Sequence, residues 1–158
     1  MQVLELAIEG RGFAVPTTHV EEVVPMVETR SLPESPPWLI GIFDHRGALT
    51  PLLDLHLLVG ADPARSLVGS RIMVVRMTTG ESRDPDGARR TVGLLAESVE
   101  EVVDVEPGGE EDFPGLQTES HAYLGSVIRR NGTTIQMIDP DRILDPSDHE
   151  TLFGPATE

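Results

Sequence analysis

Cysteine is absent from the 158-residue chain, and so is lysine: all twelve basic side chains are arginine. Without thiols there is no disulfide, no thiol nucleophile and no cysteine-ligated metal. Without an ammonium group there is no Schiff base and no Walker-type phosphate loop. Aromatic residues make up only 4% of the chain. The core must therefore rest on Val, Leu and Ile, with little to line a small-molecule pocket. Positive charge is scarce as well. Twelve basic residues face 27 acidic ones, for a net charge of −15, which leaves no electrostatic route to nucleic acid or anionic lipid. No apolar run approaches the ~18 residues of a membrane span. Met1 to Leu6 lacks the basic-then-apolar order of a secretory leader. The expectation is a cytoplasmic protein with no direct membrane insertion.

What is present is a series of short apolar segments separated by turn signals. Leu4, Leu6 and Ile8 alternate with Glu5, Ala7 and Glu9, which predicts a half-buried strand. Glu9-Gly10-Arg11-Gly12 predicts a hairpin turn, with Phe13-Ala14-Val15 returning. Thr18 and Glu21 have capping-box spacing and would open a short segment from His19 to Val24, too brief for a major helix. Trp38 to Phe43, a turn at Arg46-Gly47, and Ala48 to Leu55 read as strand, turn, strand. Gly60 to Gly69 reads as a loop. Arg71 to Met77 and Thr91 to Ala96 read as strands around a solvated loop from Thr78 to Arg90. Asp104 to Ser120, acidic and rich in Pro and Gly, reads as a surface excursion. Tyr123 to Ile128 and Thr133 to Ile138 flank Asn131-Gly132, a favoured hairpin turn. The end of the chain, from about Pro146, reads as a short helix running into a tail at 151–158. Many short strands with frequent turns indicate an all-β sandwich or barrel.

The strongest signal is an internal repeat. Val-Glu-Glu-Val-Val occurs at Val20–Val24 and again at Val99–Val103. Strand-like runs precede both copies, Phe13-Ala14-Val15 and Val92-Gly93-Leu94-Leu95. Downstream, Leu39-Ile40-Gly41, the Arg46-Gly47 turn and Pro51-Leu52-Leu53-Asp54 correspond in order to Tyr123-Leu124-Gly125, the Asn131-Gly132 turn and Gln136-Met137-Ile138-Asp139. The offset drifts only from 79 residues at Val20/Val99 to 85 at Gly47/Gly132. Two similar β units are expected, about 1–70 and 71–150, within one domain spanning 1–150. Neither is large enough to be comfortable alone, so the two should bury a shared apolar interface.

The central block, Trp38-Leu39-Ile40-Gly41-Ile42-Phe43-Asp44-His45-Arg46-Gly47-Ala48-Leu49-Thr50-Pro51-Leu52-Leu53-Asp54-Leu55, resembles the signature of CheW-like domains: Gly, four variable residues, Arg-Gly, three variable residues, Pro, then Asp-Leu. The opening hairpin around Glu9 to Val15, the element His19 to Val24, the second-half strands from Val92 to Val102 and the closing hairpin to Asp139 fit the family in order, over about residues 3–145. The resemblance implies two SH3-like five-stranded β-barrels packed on a shared hydrophobic core. It implies a non-catalytic adaptor, without cofactor, that couples the cytoplasmic tips of chemoreceptors (methyl-accepting proteins) to the regulatory domain of a CheA-type histidine kinase. It places a receptor-binding groove on Val20, Glu22, Gly41, Arg46, Val99, Val102 and Gly125, with Arg46 pairing with Glu22. Physical reasoning agrees: glycines let backbones approach, exposed valines form an apolar strip for a helical tip, and one arginine gives a directional contact. Gly41 and Gly125 fit turn or bulge geometry equally well, and Val99 and Val102 fit an ordinary core.

Where the family usually has Asn-Leu before Arg-Gly, this chain has Asp44-His45. That departure, with the long second-half loop, leaves room for a specialised scaffold that binds kinase or other adaptors only, in a non-flagellar pathway of the Wsp type that controls cyclic-di-GMP. Asp44-His45 and Asp54-Leu55-His56 can be read as acid–base or metal pairs. In a strand, Asp44 and His45 point to opposite faces, whereas Asp54 stands where a carboxylate caps the next turn. The remaining histidines, His19, His121 and His149, are expected in structural or solvated positions. No His-Glu-x-x-His, nucleophile elbow or dinucleotide fingerprint occurs.

Overall fold

The computed structural model describes residues 1–78, 89–106, 112–113 and 124–154. Most of the loop expected from Thr78 to Arg90, most of the acidic excursion from Asp104 to Ser120, His121, Tyr123 and the end of the tail lie outside the described residues. The chain is all-β in character. Its strands are β1 (Gln2–Ile8), β2 (Arg11–Pro16), β3 (Val20–Pro25), β4 (Leu39–His45), β5 (Ala48–Asp54), β6 (Arg71–Thr78), β7 (Arg89–Ala96), β8 (Ser98–Asp104), β9 (Asp112–Phe113), β10 (Leu124–Arg130) and β11 (Thr133–Ile138). Among the described residues there are two short α-helices, α1 (Leu55–Leu58) directly after β5 and α2 (Pro146–Phe153) after a 3₁₀ turn at Pro140–Arg142.

Two sheets result, ordered β8-β1-β2-β11-β10-β9 and β3-β6-β7-β5-β4. In each, one neighbour pair is parallel: β11 beside β2 in the first, β5 beside β7 in the second. Apart from the two-residue β9, the sheets correspond strand for strand. Edge strand β8 matches β3, the hairpin β1–β2 matches β6–β7, and β10–β11 matches β4–β5. The correspondence reproduces the sequence repeat but not the division at residue 70. Each half of the chain gives its first hairpin to one sheet and its remaining strands to the other. Thus β3, β4 and β5 pair within a sheet with β6 and β7, while β1 and β2 are held between β8 and β11.

The hairpin turns follow their sequences closely. Glu9-Gly10, Arg46-Gly47 and Asn131-Gly132 all have positive φ at both residues (52° and 76°, 53° and 84°, 51° and 77°). That is the combination a two-residue hairpin of right-handed twist requires, and glycine supplies the second position without a Cβ penalty.

Alternation along the strands sends side chains into three apolar cores. The largest lies between the sheets. It takes Leu4, Leu6 and Ile8 from β1, Met73, Val75 and Met77 from β6, Val92, Leu94 and Ala96 from β7, Leu53 from β5, Ile138 from β11, and Ile143 and Leu144 from the segment after β11. Their neighbours turn the other way. Val3, Ala14, Val103, Ile128, Ile135 and Met137 fill the hollow of the first sheet. Phe43, Leu52, Ile72, Val74 and Leu95 fill that of the second. Each curled sheet is therefore apolar on both faces, which is why runs such as Ile72–Val75 lack polar alternation. A buried Leu, Ile or Val contributes about 1.5–3 kcal/mol, against about 0–1 for an exposed ion pair. The shared core, not the acidic surface, decides the fold.

Two local expectations need correction. The segment His19 to Val24 is not a capped helical turn. Only Thr17–His19 forms a 3₁₀ turn, with no side-chain cap, and Val20–Pro25 is strand β3 paired with β6. β-Branched valines and a partner strand outweigh the capping-box spacing. The apolar run at Leu55 also turns into α1. Asp54 caps it, Oδ1 accepting from the Leu57 N–H at 3.2 Å, while Oδ2 accepts from Ala64 N–H at 3.0 Å.

Candidate docking site

The second sheet curls until its two edges approach. β3 and β4 share no ladder, yet Glu22 on β3 and Arg46 in the β4–β5 turn meet, Nη2 standing 3.1 Å from Oε2. The pairing expected from the sequence is present. Glu22 lies on the half-buried side of β3 with Val20 and Val24, while Glu21 and Val23 face solvent. Glu21 has its own ion pair, with Arg76 Nε at 3.8 Å. Arg46 sits at the tip of a hairpin in the left-handed region, and its side chain is 71% exposed. The result is a guanidinium held at one end by a carboxylate and open to a partner elsewhere.

The unusual Asp44-His45 pair divides along the strand as alternation requires. The Asp44 side chain turns to the hairpin, where Oδ1 accepts the Gly47 N–H at 2.7 Å and closes the turn. The His45 side chain is only 10% exposed. It lies 6.2 Å, centroid to centroid, from the Phe43 ring, and its Nε2 is 3.7 Å from Glu22 Oε2. Both of those atoms are buried and neither has an aligned hydrogen bond. The sequence marks His45 as half of an unusual Asp-His pair beside Arg46, with nothing to tie it to Glu22. Its contact with Glu22 comes from the curl of the sheet, not from any spacing.

The other expected groove residues distribute more widely. Gly41 on β4 is buried, and a Cβ there would come within 2.3 Å of the Arg30 carbonyl oxygen. The segment from Met26 to Pro37 crosses β4 at this point, exchanging hydrogen bonds between Arg30 and Ile42, both 2.8 Å. Gly41 is thus required by a backbone crossing. Val20 and Val99 are half-buried against the central core. Val102 on edge strand β8 is 55% exposed. Gly125 on β10 faces Met137 and lines an open cavity of about 360 Å³ with Met1, Pro16, His19 and Ser126. The structure therefore brings Glu22 and Arg46 into contact, puts Val20 and Gly41 in the same sheet, and places Val99, Val102 and Gly125 in the other sheet. His19, just ahead of β3, links the Gly125 cavity to the second sheet.

His19, Asp139 and Asp141 present ligand atoms within 4.8 Å of one another around that cavity. They are the residues with which the described part of the chain could hold a metal, but internal contacts already occupy them. His19 Nδ1 lies 3.1 Å from the Arg76 carbonyl, Asp141 Oδ1 accepts the Thr78 N–H at 2.7 Å, and Asp139 Oδ1 accepts the Asp141 N–H at 3.0 Å. Asp54 and His56 are also committed to the fold. His56 Nε2 accepts the Glu97 N–H at 3.1 Å and Nδ1 faces Glu97 Oε2 at 3.8 Å. Glu97 in turn receives Arg65, and that hydrogen bonding holds its carboxyl below the usual range. At the far end of the chain, burial pushes the His149 imidazole down against the pull of Asp145, Asp148 and Asp141, and both of its ring nitrogens lack partners. These groups are spent on structure. The chemistry on display at the meeting of β3 and the β4–β5 turn is that of recognition: a directional cation, a carboxylate and adjoining valines.

Comparison with known proteins bears on the family and the fold. Residues 2–147 match the CheW-like domain family. A chemotaxis protein CheW of Bacillus subtilis (strain 168) is 20% identical over 145 residues, covering 91% of this chain and 86% of the relative. The chemotaxis protein CheW of Rhizobium meliloti (strain 1021) is 20% identical over 150 residues, covering 94% of this chain and 90% of the relative. Among solved structures, the scaffolding protein TtCheW from Thermoanaerobacter tengcongensis superimposes with a TM-score of 0.74 at 20% identity, covering 91% of this chain and 87% of that one. That likeness shows the fold: two SH3-like β-barrel units on a common core. Among the described residues, no helix is long and apolar enough to cross a membrane.

Proposed function

The chain belongs to the CheW-like domain family, and from that premise we propose that it is a non-catalytic adaptor coupling chemoreceptors to a CheA-type histidine kinase. It acts by binding alone, holding the regulatory domain of the kinase and the cytoplasmic tip of a receptor in one geometry, at the cytoplasmic face of a membrane receptor array. The receptor docks at the groove defined by Val20, Glu22, Gly41, Arg46, Val99, Val102 and Gly125. The observation that carries the reading is the Glu22–Arg46 pair, which sets an exposed guanidinium at the junction of two strand edges. A guanidinium there gives a docking helix direction as well as attraction, while the neighbouring valines offer apolar contact. Family membership supports the partners, and the acidic, lysine-free surface argues for protein partners over nucleic acid.

Calorimetry against the kinase regulatory domain and against a receptor cytoplasmic fragment from the same genome tests the reading. Micromolar binding to both is expected. Binding to the kinase domain alone would replace the coupling role with a scaffold role, and binding to neither would remove the proposal.

A further inference from the structure

We propose that the end of the second sheet carrying Arg46 receives a partner segment in which an aliphatic side chain is flanked by carboxylates, with Leu49 as the apolar anchor and Arg46 and Arg89 as the cations. The inference rests on the reading of Arg46 as a docking contact for the receptor, and it names what the receptor presents there. Leu49 stands second on β5, beside the hairpin tip, and its side chain is 82% exposed. It lies directly across the ladder from Asp44, whose carboxylate closes the turn through the Gly47 N–H at 2.7 Å. A single exposed leucine is ordinary on a protein surface, so its setting decides its role. The residue is held on a paired strand next to a closed turn, and little conformational freedom is lost when a partner covers it. The charge around it departs from the chain's net of −15. β5 and β7 run parallel and β6 returns antiparallel to β7. Arg89 and Arg90 at the start of β7, and Arg76 near the end of β6, therefore stand at the same end of the sheet as Arg46. Described carboxylates at this end are already engaged. Glu22 meets Arg46 at 3.1 Å, Glu21 meets Arg76 at 3.8 Å, and Asp44 and Asp141 accept the N–H groups of Gly47 and Thr78. Among the described residues no carboxylate pairs with Arg89, and the Arg90 guanidinium lies 5.3 Å from the centroid of the Phe153 ring. Arg46 keeps donors beyond the Nη2 that faces Glu22, because a guanidinium carries several N–H groups, and docking needs no break in that pair. An aliphatic anchor beside uncommitted cations matches a segment of opposite charge. On a helix, residues about one turn apart share a face, so an aliphatic residue with a Glu or Asp one turn to either side would seat on Leu49 and reach Arg46 and Arg89.

Calorimetry with a receptor cytoplasmic fragment, and with the kinase regulatory domain as second probe, tests it. Leu49→Thr keeps a residue suited to a strand and removes the apolar bulk. It should lower receptor affinity about five- to tenfold, with an unchanged melting curve. Arg89→Glu should lower it by about as much, and its deficit should shrink as salt is raised from about 0.05 to 0.5 M. Val68→Thr, at a fully exposed valine in the connection before β6, is the control and should bind as the parent does. All three variants should bind the kinase domain normally. Parent-like receptor affinity in either Leu49→Thr or Arg89→Glu overturns the inference, as does an equal loss in Val68→Thr or a loss confined to the kinase domain. Those failures leave the docking reading standing when the parent binds and Arg46→Asp does not. Failure of the parent to bind the receptor fragment removes the docking reading and the inference with it.

Discussion

Arg46 carries its charge at a hairpin tip where the backbone already sits at a φ of 53°. An aspartate tolerates that region better than an arginine does, and the exposed ion pair it replaces contributes about 0–1 kcal/mol. Arg46→Asp should therefore fold, with unchanged far-ultraviolet circular dichroism, and lose receptor binding by about tenfold or more, since a second carboxylate beside Glu22 repels an acidic partner. Normal binding by the folded variant would remove Arg46 from the contact. Gly41 behaves oppositely. Its substitution by alanine drives a Cβ into the Arg30 carbonyl, and backbone cannot rotate aside as a side chain can. A loss of about 2–4 kcal/mol in urea unfolding is expected, with weakened binding as a consequence of the displaced segment. The sequence marked both residues through one motif, yet it could not separate their roles. The need for glycine at 41 arises from Arg30, in a segment whose path over β4 no periodicity announces. The reach of His45 to Glu22 was hidden for the same reason: it depends on two sheet edges that the chain order keeps apart.

Among elements, hairpins were the most legible because their turns are set by local φ. Arg46-Gly47 and Asn131-Gly132 adopt nearly the same angles in the two sheets. Elements whose form depends on a distant partner were less so, as β3 shows: Thr18 and Glu21 suggest a cap, but pairing with β6 draws Val20–Pro25 out straight. Helix α2 was expected from about Pro146, and Asp145 caps it, accepting the Asp148 N–H at 2.7 Å. What its sequence did not reveal is that His149 would be half-buried with both ring nitrogens out of reach of water and unpartnered, on the same element as Leu152 and Phe153 that pack on the central core. Burial lowers the folded-state affinity of His149 for a proton. Its neutral form is therefore favoured by folding, and that stability is present above the ordinary imidazole range and lost as pH falls through it and on to the lower folded value. His149→Leu, which removes the unsatisfied nitrogens, should raise the unfolding free energy by about 1 kcal/mol at pH 8, and by more at pH 5. A gain that shrinks on acidification would contradict this account. The Arg65–Glu97 pair also depends on pH. Glu97 is depressed mainly by its hydrogen bonds from Arg65, so its contribution holds above the ordinary carboxylate range and disappears as pH falls through the depressed folded value. Parent and Arg65→Ala should accordingly converge in stability at low pH.

For the whole molecule, the repeated Val-Glu-Glu-Val-Val strings predicted two like units, and the two sheets are alike; the exchange of hairpins between them is what the strings could not convey. A repeat gives the order of elements within each copy and is silent about which copy supplies the neighbouring strand. Both arrangements bury the same residues, so hydrophobic pattern cannot choose between them. The consequence is physical. Residues 1–70 hold β1 and β2 without β8 or β11 beside them, and β3 to β5 without the β6–β7 pair that joins them. The central core likewise needs Leu4, Leu6 and Ile8 from one half against Met73, Val75, Leu94 and Ile138 from the other. Neither half can close a sheet or cover an apolar face, and a chain of that length has little core of its own. The full chain should therefore unfold in one cooperative transition, with circular dichroism and Trp38 fluorescence changing together. A break after Ser70, just past the Gly60–Gly69 connection, with residues 1–70 and 71–158 made separately, should give two fragments that each lack strand signal alone. Mixed in equal amounts, they should recover it along with binding to the kinase regulatory domain, because the exchanged hairpins can only be satisfied by the other fragment. A first fragment that folds by itself, with a cooperative melt, would show that the hairpin exchange is not what holds the molecule together.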